Sequence, residues 1–151
     1  MCSSDLQDEV AVVGACEDPS ATVEITWGEL RRRTASLAAT LRDLGVGQGD
    51  RVVGFLPNTP DAVVAFLATA SLGATWSVCG MDYAASAARS RFEQLDPVVL
   101  VHASSYVHGG REHDRSDVVA ELSAALPTLR AVLEVGTHAW DDALEIGRAH
   151  V

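Results

Sequence analysis

The sequence predicts an α/β domain, a parallel-rich sheet with helices on both faces. Two observations support this fold class. Short apolar runs of strand length alternate with stretches of helical periodicity between residues 26 and 135, and Gly or Pro lies at most junctions between them. Strands that alternate with helices of this length are joined by right-handed crossovers, which build parallel sheets covered on both sides.

The first helix is predicted from its capping residues. Thr26 and Glu29 have the capping-box spacing, in which each side chain satisfies a free backbone N–H of the first turn. Apolar residues then recur on one face as far as Leu44, and Gly45 supplies the left-handed residue that ends many helices. The pattern indicates an amphipathic helix that packs on a core.

The following elements are predicted from apolar runs of different length. Residues 52–56 predict a strand covered on both faces, and Pro60 fits the first position of a helix over residues 61–72. That helix is apolar nearly all round; if segments outside this chain cover it, the chain alone exposes an apolar patch. The remaining predicted elements are a strand at 75–79, a helix at 84–95, a strand at 98–102, a long loop at 103–115, a helix at 116–125 and a strand at 131–135.

Composition limits the partners. The 151 residues carry a formal charge of -10, from 11 basic and 21 acidic side chains, which disfavours nucleic acid and anionic membranes as partners but does not select one partner. A local arginine or a helix N-terminus can still bind a phosphate. The widely spaced Cys2, Cys16 and Cys79 form neither a disulfide framework nor a metal-binding spacing. With no signal peptide and no apolar run of membrane-spanning length, we expect a cytoplasmic protein.

The two ends of the chain have an unusual relationship. DNA encoding CSSDL at residues 2–6 and EIGRA at 145–149 can be written as reverse complements that match a common sequencing-adapter core. We therefore predict that residues 1–6 and 145–151 are non-native and that 7–144 are native, two chance peptides being the alternative. The codons at both ends decide between them.

Three loops are candidate ligand-binding segments, because ligands bind beyond the carboxyl ends of the strands in an open parallel sheet. They cover residues 57–59, 80–83 and 104–111. The third is the most suggestive: adjacent glycines let backbone amides approach a phosphate, and Arg111 offers a planar fork of donors. The alternative is an ordinary surface turn.

The sequence lacks the motifs of other nucleotide-binding, hydrolase and metal-dependent enzymes. The P-loop, dinucleotide-binding, G-x-S-x-G and H-E-x-x-H motifs are absent from the sequence. His108 and His113 lie five residues apart without a third ligand nearby, so we expect solvated side chains and no metal site. Cys79 lacks an adjacent His and is expected to pack in the core. Trp76 is expected either to line an acyl pocket or to pack.

A family resemblance rests on four segments that keep their order and spacing: TWGEL at residues 26–30, GVGQGDRV at 45–52, LPN at 56–58 and SLGATWS at 71–77. Over residues 22–135 the chain closely resembles the N-terminal part of acyl-CoA synthetases, the adenylate-forming, AMP-binding (ANL) ligases. The resemblance implies that a carboxylate attacks the α-phosphate of ATP to give an acyl-adenylate, and that the thiol of CoA then displaces AMP. ATP, CoA and Mg²⁺ are implied for the complete enzyme.

The resemblance also implies that this chain is incomplete. In the family, the phosphate loop, most adenine contacts and the catalytic lysine follow the region seen here. We therefore expect a partial N-terminal subdomain of an adenylate-forming ligase that has no catalytic residue and is inactive alone.

Within the family, several segments resemble the acetoacetate-activating branch. They are Trp76-Ser77, Asp82-Tyr83, Arg91-Phe92 with Gln94, and the loop at 106–114. This makes Trp76 and Asp82 possible substrate-pocket residues. Gly80, Met81 and Ala84 depart from the Ser, Pro and Gly of that branch, so ligases of acetate or propionate are an alternative, as is a non-catalytic α/β binding module.

The resemblance also points to part of a CoA site. Related synthetases contact the CoA nucleotide through an Arg-Gly-Gly-Arg loop, which aligns with His108, Gly109, Gly110 and Arg111. Arg111 is the leading candidate for the 3′-phosphate, because its fork can bind a phosphate bidentately. His108 is a weaker candidate for the same contact, because an imidazole can carry a positive charge.

Overall fold

A computed structural model describes residues 6–145. Within them the elements in chain order are β1 Val10–Gly14, β2 Val23–Thr26, α1 Trp27–Asp43, β3 Arg51–Phe55, α2 Pro60–Ser71, β4 Thr75–Cys79, α3 Ala85–Glu93, β5 Val99–His102, β6 Ser105–His108, β7 Arg111–Asp114, α4 Ser116–Ala125, β8 Ala131–Glu134 and α5 His138–Glu145. Apart from Leu6 and Glu145, the predicted non-native ends lie outside the described residues. No helix within residues 6–145 combines the length and apolar character needed to span a bilayer.

The main sheet confirms the predicted fold class. Its strands follow the order β4-β3-β5-β8, and every neighbouring pair is parallel. Successive strand residues point to opposite faces, so Val52 packs with the core shared by α1, α2 and α5, while Val53 packs with the core shared by α3 and α4. Helices therefore cover both faces.

The start of α1 forms only half of the predicted capping box. Thr26 Oγ1 accepts the N–H of Glu29 at 3.2 Å. The Glu29 carboxylate instead accepts from Arg33 Nε at 2.9 Å and Arg33 Nη2 at 2.5 Å, because Arg33 lies one turn further along the same helix face. The predicted start and the stop at Gly45, which has a φ of 84°, are confirmed.

The order of the strands determines where a ligand can bind. The chain runs from β3 to β4 on one side and then to β5 on the other side of β3. The connections leaving β3 and β5 therefore diverge, and such a switch point opens a crevice at the carboxyl ends of the two strands. The loops at 56–58, 80–83 and 103–104 lie at this edge.

Three features differ from the prediction. Strands β1 and β2 form an antiparallel hairpin, and α5 follows β8. The segment expected to be a long loop contains the antiparallel hairpin β6–β7, whose register pairs His108 with Arg111. Its two-residue turn has φ of 62° at Gly109 and 68° at Gly110, the positive values that a type I′ turn requires.

Candidate functional site

The three predicted loops meet in one cavity of about 300 Å³ at the carboxyl edge of the sheet. Its lining comes from the ends of β3 and β4 and from β6: Leu56, Pro57, Asn58, Gly80, Met81, Asp82, Tyr106 and His108. The cavity borders the end of β3, one of the two strands at the switch point. The structure therefore brings the three loops together, and ligand binding at this edge stays a prediction.

A larger neighbouring cavity of about 590 Å³ lies between the segment after β1 and the hairpin. One wall is formed by residues 14–18, and the other includes Tyr106 and Val107. Pro57, Asn58 and Tyr106 line both cavities. The two cavities thus lie side by side along the loop that follows the central strand β3.

Side-chain contacts within the hairpin hold its tip in position. The rings of Tyr106 and His113 stack with their centroids 5.1 Å apart, and His113 Nε2 lies 3.2 Å from the His108 carbonyl oxygen. Ser105 Oγ donates to Glu112 Oε1 at 2.6 Å. These contacts fix His108 at the junction of the cavity and the turn.

The glycine turn is bound by a carboxylate that the sequence analysis did not single out. Glu17 Oε1 accepts the N–H of Gly109 at 2.8 Å, and Glu17 Oε2 accepts the N–H of Gly110 at 2.7 Å. Hydrogen bonds from the Gly110 and Gly109 amides hold the pKa of Glu17 below its usual range. We call Glu17 with these two amides the Glu17 clasp.

The clasp bears on the predicted CoA site. The two amides expected to face a phosphate do face an anionic group, but here that group is Glu17. His108 Nδ1 lies 3.6 Å from Glu17 Oε1, an ion pair when the imidazole is protonated. The assignment of His108, Gly109 and Gly110 to CoA stays a prediction. The contact between Gly109 and Glu17 joins residues 92 positions apart, so the sequence alone does not predict it.

Arg111 follows the turn directly and is exposed. Within residues 6–145, its guanidinium makes no hydrogen bond or ion pair. Arg33 and Arg115, in contrast, are both bound to protein oxygens. Arg111 therefore has its full set of donors available for a ligand.

The two predicted substrate-pocket residues lie in separate spaces. Trp76 covers Gly54, where an added Cβ would lie 2.6 Å from Trp76 Cη2, and it lines an apolar groove with Phe66 and Val78. Asp82 folds back over Gly80 and lines the cavity at the hairpin. Asn58 lines both spaces. Trp76 and Asp82 stay predictions, and the described residues do not bring them into one pocket.

Tyr83 fixes the loop that carries Asp82. Arg91 Nη1 donates to the Tyr83 hydroxyl at 3.2 Å, and the Arg91 guanidinium lies 5.3 Å from the centre of the Tyr83 ring. Arg115 Nη2 donates to the Tyr83 carbonyl oxygen. The loop after β4 is thus tied to both α3 and the start of α4.

A buried histidine lies near this edge and was not foreseen. His102 ends β5 with a side chain only 7% exposed, and its Nδ1 has no hydrogen-bond partner among the described residues. Burial lowers the pKa of His102. Across residues 6–145, no three His, Cys, Asp or Glu side chains are grouped so as to hold a metal ion.

Comparison with known proteins identifies the protein family to which the chain belongs. The family model for AMP-binding enzymes matches residues 4–148. The chain therefore belongs to the AMP-binding enzyme family, which confirms the family resemblance of the sequence.

Within this family, the chain is similar to several acetoacetyl-CoA synthetases. The chain is 39% identical over 129 residues to acetoacetyl-CoA synthetase of Danio rerio, covering 85% of this chain and 19% of that protein. The Rhizobium meliloti (strain 1021) acetoacetyl-coenzyme A synthetase is 36% identical over 119 residues, covering 79% of this chain and 18% of that protein. The solved acetoacetyl-CoA synthetase from Streptomyces lividans is 48% identical with a TM-score of 0.88, over 94% of this chain and 23% of that one. The chain thus spans about a fifth of the length of these curated relatives.

Proposed function

We propose that this chain is part of an acid–thiol ligase that activates acetoacetate with ATP and transfers the acyl group to CoA. In the first step a carboxylate oxygen of acetoacetate bonds to the α-phosphorus of ATP, and pyrophosphate leaves. In the second step the CoA sulfur bonds to the acyl carbon, its proton is released, and AMP leaves. The similarity to acetoacetyl-CoA synthetases from an animal and from bacteria supports acetoacetate over acetate or propionate.

The contribution of this chain is contact with the CoA nucleotide. Arg111 carries that proposal, because it is an exposed guanidinium without a protein partner among residues 6–145 and lies beside a turn whose amides converge on an anion. A guanidinium binds a phosphate through two parallel N–H···O bonds, which fixes orientation as well as charge. His108 lines the adjacent cavity and adds positive charge when protonated.

We further propose that the chain alone does not catalyse either step. In the family, the phosphate loop and the catalytic lysine follow the region that this chain matches. A test is to incubate the chain with ATP, Mg²⁺ and acetoacetate and measure pyrophosphate, which we expect to remain at background.

A chimera provides the positive experiment. Residues 7–144 of this chain replace the matching segment of the Streptomyces lividans protein, and thioester formation is measured with acetoacetate, acetate and propionate. We expect acetoacetate to give the highest kcat/KM. A chimera that is active but prefers acetate would contradict the proposed substrate.

Arg111→Ala in the same chimera tests the CoA contact. We expect the KM for CoA to rise about tenfold or more, as loss of a charged hydrogen-bonding pair produces, while acetoacetate-dependent pyrophosphate release stays the same. Arg31→Ala is the matched control, since Arg31 is also an exposed arginine but lies on α1. An unchanged KM for CoA in Arg111→Ala would remove the assignment.

A further inference from the structure

The Glu17 clasp joins two segments that are far apart in the chain. Glu17 lies after β1, outside the main sheet, and the two glycines form the tip of the β6–β7 hairpin. Both bonds are short, at 2.8 and 2.7 Å, as expected when the acceptor is ionised. Among the described contacts, these link the tip of the hairpin to the segment after β1.

The turn has the geometry of an anion-binding site. Successive backbone N–H groups that converge on one point form a concave nest with partial positive charge. Gly109 and Gly110 present such a pair to Glu17, and both glycines are exposed, so solvent reaches the turn around the bound carboxylate. The two oxygens of Glu17 occupy it in the way that two oxygens of a phosphate would.

The clasp also bridges the two walls of the 590 Å³ cavity. Glu17 belongs to one wall, and Tyr106 and Val107 of the hairpin belong to the other. The Glu17 side chain is 45% exposed, so water and ions reach the carboxylate and the bonds can exchange. A ligand group of the same charge and shape can therefore compete for the amides.

We propose that Glu17 is an internal competitor for phosphate: it occupies the Gly109–Gly110 nest, and a phosphate monoester or diphosphate binds there only by displacing it. This inference rests on the proposed function for its biological ligand, the phosphate of a nucleotide. It adds a specificity-determining residue, because a weakly charged or neutral group does not compete with a carboxylate held by two amides.

The expected size of the effect follows from the fraction of molecules with the clasp closed. If about nine molecules in ten have Glu17 bound, the apparent affinity for a phosphate is reduced about tenfold. Removing the Glu17 carboxylate removes that reduction. Glu17→Ala loses both acceptor oxygens and the charge, and Glu17→Gln keeps one acceptor oxygen and loses the charge.

The test uses inorganic pyrophosphate as the probe and the full chain as the protein. Backbone amide NMR spectra are recorded during titration of the wild type, Glu17→Ala, Glu17→Gln and Asp18→Asn. Asp18→Asn is the matched control, because it removes the neighbouring charge while an amide oxygen can still accept from Ser20, the partner of Asp18. We expect Glu17→Ala to bind pyrophosphate about tenfold more tightly, Glu17→Gln to be intermediate, and the Gly109 and Gly110 signals to move on binding.

Two results would overturn the inference. The first is equal affinity in Glu17→Ala and the wild type; the second is an equal gain in Asp18→Asn, which would indicate a general charge effect. Should the Glu17 variants not fold, the Glu17 carboxyl carbon signal of the wild type decides. We expect it to shift when pyrophosphate saturates the Gly109 and Gly110 amides, and an unshifted signal at saturation would contradict displacement.

A second titration separates this inference from the CoA assignment. CoA and 3′-dephospho-CoA are added to the same variants and to Arg111→Ala. Tighter pyrophosphate binding in Glu17→Ala without CoA binding in any variant would support the clasp and contradict the CoA site. Loss of CoA binding in Arg111→Ala, with no effect of Glu17→Ala on either probe, would support the CoA site and contradict the clasp.

Discussion

The end of β3 and the tip of the β6–β7 hairpin border the same crevice, but they are held in place by different forces. Phe55 ends β3 with no exposed surface and packs between the sheet and helices α3 and α4. Val107 near the hairpin tip is 62% exposed, and the tip is fixed by hydrogen bonds from Glu17. One region is stabilised by burial, and the other by a few polar contacts.

The difference indicates that one side of the predicted ligand-binding edge is rigid and the other can move. A close-packed core resists any change of shape, so β3, β4 and β5 hold the floor of the crevice at constant geometry. Exposed polar contacts exchange with water and ligands at little cost. The hairpin tip, with Arg111 and the two glycines, is therefore the part that can respond to a bound nucleotide.

The largest expected effect of a substitution lies on the buried side. Phe55→Ala removes a fully buried ring from the core beneath the crevice, and such truncations cost about 3–5 kcal/mol of unfolding free energy. Val107→Ala, on the exposed hairpin, is expected to change it by less than about 0.5 kcal/mol. Urea unfolding followed by circular dichroism measures both. Similar midpoints for the two variants would contradict the contrast between the regions.

The buried region was also the part that the sequence predicted well. Strands β3 and β5 contain continuous apolar runs, and α1 has apolar residues that recur on one helix face. Burial produces both patterns directly. The strand at 75–79 and the helix at 116–125 have the predicted bounds. Local periodicity is a sufficient signal where packing on a sheet decides the structure.

The exposed region could be predicted only in part. The strands of the hairpin, SYVH and REHD, lack apolar alternation, although the two glycines between them are a hairpin signal that the sequence does contain. Glu17 has no such signal, because its partners lie 92 and 93 positions away and bind through backbone N–H groups. Likewise, the separation of Trp76 from Asp82 depends on which face of β4 a side chain occupies and on the path of the following loop.

The dependence of stability on pH tests a residue that lies between the two regions, His102. His102 is buried at the carboxyl end of β5, and its folded pKa is lowered by burial. The unfolded chain therefore binds a proton more readily than the folded chain, so stability falls as the pH drops below the ordinary value of 6.5 towards the folded pKa. The slope from one proton is at most about 1.4 kcal/mol per pH unit.

The measurement for His102 is the unfolding free energy of the wild type and His102→Gln between pH 7.5 and pH 5, with about half-unit steps. Gln keeps polar atoms of similar size but does not titrate in this range. We expect the wild type to lose stability relative to the variant as the pH falls. Parallel curves would show that His102 does not make the protein acid-sensitive, and would contradict a pKa lowered by burial.

The smallest expected effect concerns the backbone of the hairpin tip. Gly109 has a φ of 62° and open space at its Cβ position, so Gly109→Ala tests backbone conformation without a clash. A left-handed L-residue costs about 1–2 kcal/mol, partly offset by the lower entropy of the unfolded Ala chain. Gly47→Ala is the matched control, because Gly47 also has open space but does not have a positive φ.

We expect Gly109→Ala to lower the unfolding free energy by about 1 kcal/mol. Gly109→Asn should lower it less, because Asn tolerates this conformation, and Gly47→Ala should leave it unchanged or raised. Equal effects of Gly109→Ala and Gly47→Ala would mean that the tip does not depend on its turn geometry, and the nest that holds Glu17 would then lose its structural basis.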